Sequence, residues 1–244
     1  MSSAVPEVIE LDRVEIAVVP WSWDFAVKRR EEIVRNFAKR QRERPSIWNG
    51  RVLLLHSYEI SGDVLRGESF ETDYASMLAW RDWDFPDPGV FNIFAPAALC
   101  SADGAYLVGE MAASTASAGQ IYFPCGTPDD GDIGADRTLD LAGSVGRELR
   151  EETGLDIAAL DAAPGWTLVR DRGYFALNKR LTARHDAETL RARVMRHLAN
   201  EVQPEFRDIR IVRGRADLDR RMPRFMVAFF EWVWRATAGA AAGG

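Results

Sequence analysis

Nine consecutive residues near the middle of the chain, Arg147-Glu148-Leu149-Arg150-Glu151-Glu152-Thr153-Gly154-Leu155, constrain it more than any other stretch. In a helix of about 3.6 residues per turn, Glu148, Glu151 and Glu152 stand at i, i+3 and i+4 and share one face. Carboxylates crowded in this way repel one another and raise each other's pKa unless an oxygen-seeking divalent cation such as Mg²⁺ or Mn²⁺ neutralises them. Leu149 and Leu155 can turn to a core, and Gly154 suits the left-handed position that ends a helix. A Glu-rich helix end with i, i+4 ion pairs on a solvated surface would use the same letters. The apolar strand Gln120-Ile121-Tyr122-Phe123 and the turn Phe123-Pro124-Cys125-Gly126 upstream weigh against that blander reading.

The same nine residues resemble the second half of the Nudix box, Arg-Glu-aliphatic-x-Glu-Glu-x-Gly-aliphatic, and match it at every specified position. Phe123-Pro124-Cys125-Gly126 is similar to the family's Phe-Pro-Gly-Gly loop, with Cys125 in place of one glycine. The first half departs from the pattern. Counting back at the family's spacing puts Ile133 and Leu139 where a glycine and a glutamate belong. Starting instead from Gly126 reaches Asp132, with aspartate for glutamate, and 14 residues then separate Asp132 from Arg147, twice the family's interval. This reads as an insertion in the loop before the helix, tolerable because each doubling of a surface loop adds only about 0.6 kcal/mol of closure entropy.

The resemblance implies an α/β fold, the Nudix α/β/α sandwich with a mixed sheet, over residues 90–235. It leaves 1–89 as a small N-terminal α+β extension and 236–244 as an Ala/Gly-rich flexible tail. It further implies that Glu148, Glu151 and Glu152 hold Mg²⁺ or Mn²⁺, that Arg147, Glu151 and Glu152 are catalytic, and that Gly126 lets the loop approach helix and substrate. The shorter Asp132 leaves its own contact to the metal in doubt. A general base outside the box has no motif; Glu201 and Glu205, in the loop ahead of the strand at Ile209, are candidates, with loop solvation as their plainer role. Lys179 and Arg180 are candidates for substrate phosphates, or merely a basic strand end.

Composition bounds the alternatives. A net charge of −6 argues against nucleic acid as a partner, since phosphate binding calls for a basic surface. No apolar run approaches the roughly 20 residues that span a bilayer, so no membrane role is expected. Met1 to Glu10 shows neither a basic nor an apolar signal region, so the expectation is a cytoplasmic protein. Two cysteines, Cys100 and Cys125, in no framework are expected to be reduced thiols. No base stands beside Cys125 in sequence to make it a nucleophile.

Along the chain, 14–19 reads as a strand, 25–44 as a helix with Asp24 as its cap and Pro45 as its stop, and 51–58 and 60–70 as a hairpin about Ser61-Gly62-Asp63. From Lys28 to Arg44 eight basic and three acidic residues give a net +5, either a phosphate- or partner-binding ridge or a solvated helix face. His56, in an apolar strand, reads as a packed histidine. The aromatic loop 80–89 could stack on a nucleobase or pack against the next domain. Strands are expected at 90–99, 105–111, 166–170, 174–177 and 209–212, and helices at 187–198 and 222–234, with Thr138 or Asp140 capping the helix that carries the box.

The expected function is hydrolysis of the pyrophosphate bond of a nucleoside diphosphate linked to another moiety, giving a nucleoside monophosphate and a phosphorylated product. The segment Ile47-Trp48-Asn49-Gly50-Arg51 through Glu59 is similar to the N-terminal extension of Nudix enzymes acting on UDP-sugars and suggests such a substrate. The family's habit of pairing subunits suggests a homodimer. The rival is a catalytically silent Nudix-fold nucleotide sensor, which would have no physical reason to keep a full glutamate set.

Overall fold

A computed structural model describes residues 5–242. The first four residues and the last two, which end the anticipated tail, lie outside it. The N-terminal part contains β1 (Glu7–Leu11), β2 (Arg13–Val18), α1 (Asp24–Lys28), α2 (Arg30–Glu43), β3 (Arg51–Ser61), β4 (Val64–Asp73) and α3 (Tyr74–Asp82). There follow β5 (Asn92–Phe94), β6 (Ala97–Cys100), β7 (Tyr106–Met111), β8 (Ile121–Tyr122), α4 (Leu141–Thr153) and β9 (Asp161–Ala162). The chain closes with β10 (Trp166–Asp171), β11 (Tyr174–Thr182), α5 (Ala187–Leu198), β12 (Phe206–Val212) and α6 (Arg224–Ala242).

The larger sheet runs β1-β10-β11-β6-β7-β12, with β5 and β9 also on β11 and β8 on β7. It is mixed: β11 pairs parallel with β5 and β6, and the remaining ladders are antiparallel. Its strands are apolar on both faces, as a sheet covered on both sides must be. Leu107, Leu168, Phe175 and Leu177 face a core completed by Val145 and Leu149 of α4 and Leu190 and Val194 of α5. Their neighbours Val108, Val169 and Ala176 face the opposite core, built on Met226, Phe229 and Phe230 of α6. The period of two along each strand thus sorts side chains into two layers, and the result is an α/β/α sandwich.

The N-terminal part makes its own three-stranded sheet, β2-β4-β3, on which α2 and α3 pack around Trp23, Ile33, Leu54, Phe70 and Trp80. β1 leaves that group and extends the large sheet along β10. The residues inserted before α4 fasten the two parts together. Ile133 and Leu139 bridge to each other and Thr138 bridges to Ala17. The Val18 amide donates to the Arg137 carbonyl at 2.7 Å and the Leu139 amide to that of Ile16 at 2.8 Å. The lengthened loop is therefore an ordered clasp.

Several local expectations change. The helix expected at 25–44 breaks at Arg29, whose guanidinium bonds Glu32 and lies 4.0 Å over the Trp83 ring. Asp24 does not cap it but pairs with Lys28 at 2.5 Å. The basic run is substantially neutralised, with Arg30 on Asp73 at 2.8 Å and Arg40 on Asp82 at 3.1 Å. The aromatic loop packs inward: Trp80 is fully buried against Trp23 and Phe85, and its indole N–H donates to the Asp87 carbonyl at 3.1 Å. α6 runs through the expected tail as far as Ala242, in keeping with alanine's high helix propensity. Among the described residues no helix is long and apolar enough to cross a membrane.

Trp80→Ala is expected to cost about 3–5 kcal/mol, lowering the thermal midpoint by roughly 10 °C for a chain of this size. A drop of only a degree or two in a calorimetric scan would show that Trp80 is not a keystone of the N-terminal core.

Candidate active site

Helix α4 carries the acidic cluster. Asp140 caps its start by accepting the Gly143 amide at 2.9 Å, and Gly154 ends it in the left-handed region at φ 68°. A side chain at 154 would collide with the His197 ring, whose Nε2 lies 3.0 Å from the Glu151 carbonyl and so ties α5 to the end of α4. Leu141, Val145 and Leu149, spaced by four, pin one stripe of α4 to the sheet.

That stripe decides where each glutamate points. With about 100° of rotation per residue, Glu152 falls within about 20° of Val145, Glu148 about 60° away and Glu151 about 120° away. Accordingly Glu152 and Glu148 are buried at 3% and 9% exposure, whereas the Glu151 side chain is 60% exposed. The structure therefore brings together two of the three expected ligands and turns the third outward.

The loop Phe123-Pro124-Cys125-Gly126 is clamped from both sides: the Ala97 amide of β6 donates to the Pro124 carbonyl at 2.9 Å, and the Leu53 amide of β3 to that of Pro128 at 2.8 Å. This clamp aims the Cys125 amide at Glu152 Oε2, 2.9 Å away. Gly126 lets Glu148 keep its place, because a Cβ at that position would sit 2.3 Å from Glu148 Oε1 and displace the carboxylate. The Cys125 thiol is pushed well up by burial and then by Glu152 and Glu148, the opposite of what an activated nucleophile needs.

Arg147 gathers the remaining acids. Its guanidinium meets Glu148 Oε1 at 2.7 Å, both oxygens of Asp132 at 3.1 and 2.9 Å, and Glu151 at 3.5 Å. Asp132 is buried, receives the Asp129 amide at 3.1 Å and grips Arg147 bidentately. The aspartate reached by respacing the box thus faces the arginine.

Of the two loop carboxylates considered as bases, Glu205 lies at the site and Glu201 does not. The Ala112 amide at the end of β7 donates to the Glu205 carbonyl at 2.7 Å, placing the side chain on the open side of the cavity, where it acts on both Glu148 and Glu152. Glu201 lies on the outer surface, 3.7 Å from His197. Lys179 and Arg180 are also elsewhere: Lys179 bonds the Gly165 carbonyl at 3.0 Å and Arg180 pairs with Glu10 at 3.3 Å. His56 is packed, stacked on Trp21 at 4.6 Å.

Cys125, Gly126, Glu148 and Glu205 border a cavity of about 520 Å³ between the two sheets. One wall comes from the N-terminal part, through Trp48, Arg51, Tyr74, Met77 and Arg81. The other includes Tyr122, Gly126, Glu148, Tyr174, Glu205 and Phe225. Neither Trp48 nor Arg81 stood out in the sequence as a site residue, since a lone exposed tryptophan or arginine in a segment remote from the box carries no spacing signal.

The electrostatics are those of acids held together against their will. Burial, followed by Glu151 and Glu205, raises the Glu148 carboxyl to about 7 in spite of Arg147. Glu152 is raised well above the ordinary range by burial and then by Glu205 and Glu148. Glu205 is raised by desolvation and by Glu151. Glu152 Oε1 is buried and receives no amide, hydroxyl or guanidinium donor, and a hydrogen bond between the Glu152 and Glu205 carboxyls requires that the two share a proton. Among the described residues, no three acidic, histidine or cysteine side chains stand together at metal-ligand spacing. The donor set nonetheless fits a hard divalent cation in its chemistry, with crowded carboxylates, a buried oxygen that no N–H donor reaches and no competing soft ligand.

No protein-family model matches the chain, and no curated protein is significantly similar to it. Solved structures similar to it include a Nudix hydrolase from M. smegmatis, RenU, at 16% identity and a TM-score of 0.39, covering 62% of this chain and 89% of that one. Another is the MutT protein from Methanosarcina mazei Go1, at 18% identity and a TM-score of 0.40, covering 60% of this chain and 95% of that one.

The raised Glu148 makes a prediction about stability. Its carboxyl, near 4.5 when unfolded and about 7 when folded, keeps a proton in the folded state that the unfolded chain releases between those values. Stability is then fullest below about pH 4.5 and falls as pH rises through about 7, by about 3 kcal/mol at roughly 1.4 kcal/mol per pKa unit. Without divalent metal, the thermal midpoint is expected to fall by several degrees between about pH 5 and pH 8. Glu148→Gln should lessen this slope, leaving the part that Glu152 and Glu205 contribute in the same direction, and millimolar Mg²⁺ or Mn²⁺ should offset it; a profile identical in wild type and variant would refute the assignment.

Proposed function

We propose that the chain is a Mg²⁺- or Mn²⁺-dependent hydrolase of the pyrophosphate bond in a nucleoside diphosphate linked to another moiety. The observation that carries this reading is the gathering of three carboxylates, Glu148 and Glu205 lining the cavity and Glu152 buried beside them, with one Glu152 oxygen that no amide, hydroxyl or guanidinium donor reaches. A bound divalent cation supplies neutralisation of the diphosphate and a lowered pKa for the attacking water.

The chain's own residues divide the remaining tasks. Glu152 and Glu148 are the cation's inner carboxylates, the first fixed by the Cys125 amide and the second by Arg147. Arg147 is a positioning residue, itself held by Asp132. Glu205, open to water and with its affinity for protons raised, is suited to take the proton from the attacking water. Glu151, on the outer side of Arg147, balances its charge and has to swing inward to serve as a ligand. Gly126 keeps the loop in close contact with the Glu148 carboxylate. Among substrates, a UDP-sugar is favoured by the N-terminal sequence likeness noted above, and that segment forms one wall of the cavity. The silent-sensor alternative draws its support from the outward Glu151 and from carboxylates not yet gathered at ligand spacing.

A panel of nucleotide sugars and dinucleotides incubated with Mg²⁺ or Mn²⁺ is expected to yield phosphatase-sensitive products. Glu152→Gln should lower kcat about 100- to 10,000-fold, and Gly126→Ala should weaken metal dependence by about 10- to 100-fold. Saturable nucleotide binding without any product would decide for the sensor.

A further inference from the structure

Among the described residues, two basic side chains line the cavity, Arg51 and Arg81. Arg51 is paired with Glu71 at 2.8 Å. Arg81, in the last turn of α3, is half-buried, and its side chain makes no hydrogen bond or ion pair with any described residue. The acid beside it, Asp82, is committed to Arg40 at 3.1 Å and to Asn36 at 3.0 Å. Tyr74, Tyr122 and Tyr174 line the cavity with it, and the Arg81 charge opposes the upward push of burial on their hydroxyls. The same cavity is lined by Glu148 and Glu205, so the guanidinium and the carboxylate cluster border one space.

A guanidinium offers five donors and accepts nothing, so one that is half withdrawn from water without an acid is short of partners. A ligand that satisfies both walls must carry negative charge for Arg81 and a second negative group that shares a cation with Glu148 and Glu152. Adjacent phosphates meet both demands, and planar guanidinium binds phosphate oxygens bidentately. We propose that Arg81 is the anion anchor of this cavity: it binds a phosphate oxygen of the diphosphate whose cation is held at the carboxylates, with Tyr74, Tyr122 and Tyr174 lining the same space. The N-terminal part then contributes to substrate recognition directly, through a residue outside the box. This rests on the reading of the cavity as a diphosphate site.

The test uses the full chain, Mg²⁺ and methylenediphosphonate, whose P–C–P bridge cannot be hydrolysed, with affinity measured by calorimetry. Arg81→Gln is expected to weaken binding by about 10- to 100-fold, the range for a hydrogen bond to a charged group, with an unchanged thermal midpoint because the side chain supports no other described residue. Arg81→Lys should recover only part of the loss, since a point charge lacks the fork. An Arg81→Gln affinity within about threefold of wild type, or no binding by either protein, overturns the proposal. Loss of binding in Arg81→Gln together with no turnover of any nucleotide by wild type would leave the anchor standing and remove the hydrolase.

Discussion

Everything at this site follows from holding carboxylates close together beside a cavity and partly out of water. Glu152 is buried because it lies in line with Val145, and Glu148 because it is one step round the helix from it. Each addition of negative charge raises the cost of the others. A fold tolerates such crowding when something else repays it, and here the repayment is incomplete: Arg147 serves Glu148, the Cys125 amide serves one oxygen of Glu152, and the other has no cationic or N–H donor and can meet Glu205 only through a shared proton. A divalent cation, or a proton taken up from solvent, completes the balance.

The insertion before α4 shows how a fold absorbs a departure from a family pattern. The added residues hydrogen-bond to β2 and return to Asp140 in time to cap the helix, while Asp132 turns back to grip Arg147. The same excursion ties the N-terminal sheet to the large one, alongside the direct bridge between Leu55 and Phe91. Part of what holds the walls of the cavity together is thus a segment that, in the sequence, looked like a spacing error.

Much of the layout was legible from periodicity. The helix at 187–198, the hairpin about Gly62 and the apolar strands of the large sheet are local patterns whose burial matches their letters. The misjudged elements have physical causes. β1, five residues with two glutamates, has too little apolar alternation to stand out and owes its place to the ladder with β10. The i, i+3, i+4 rule put three glutamates on one face, but that face spans about 100° and the core stripe admits only part of it. Glu205 could be guessed only as one acid in a loop, because its position depends on β12 pairing with β7. Arg81 gave no sign at all, since being unpaired is a property of its surroundings.

The central claim is that buried carboxylates on α4 form a cation site. It is tested most directly by anomalous diffraction from crystals soaked in Mn²⁺. The account expects a single strong peak between Glu148 and Glu152, with carboxylate oxygens at about 2.1 Å, as hard octahedral sites require, and with Glu205 on its cavity side. Crystals that bind no manganese there, or bind it only at the exposed Glu151, would contradict it.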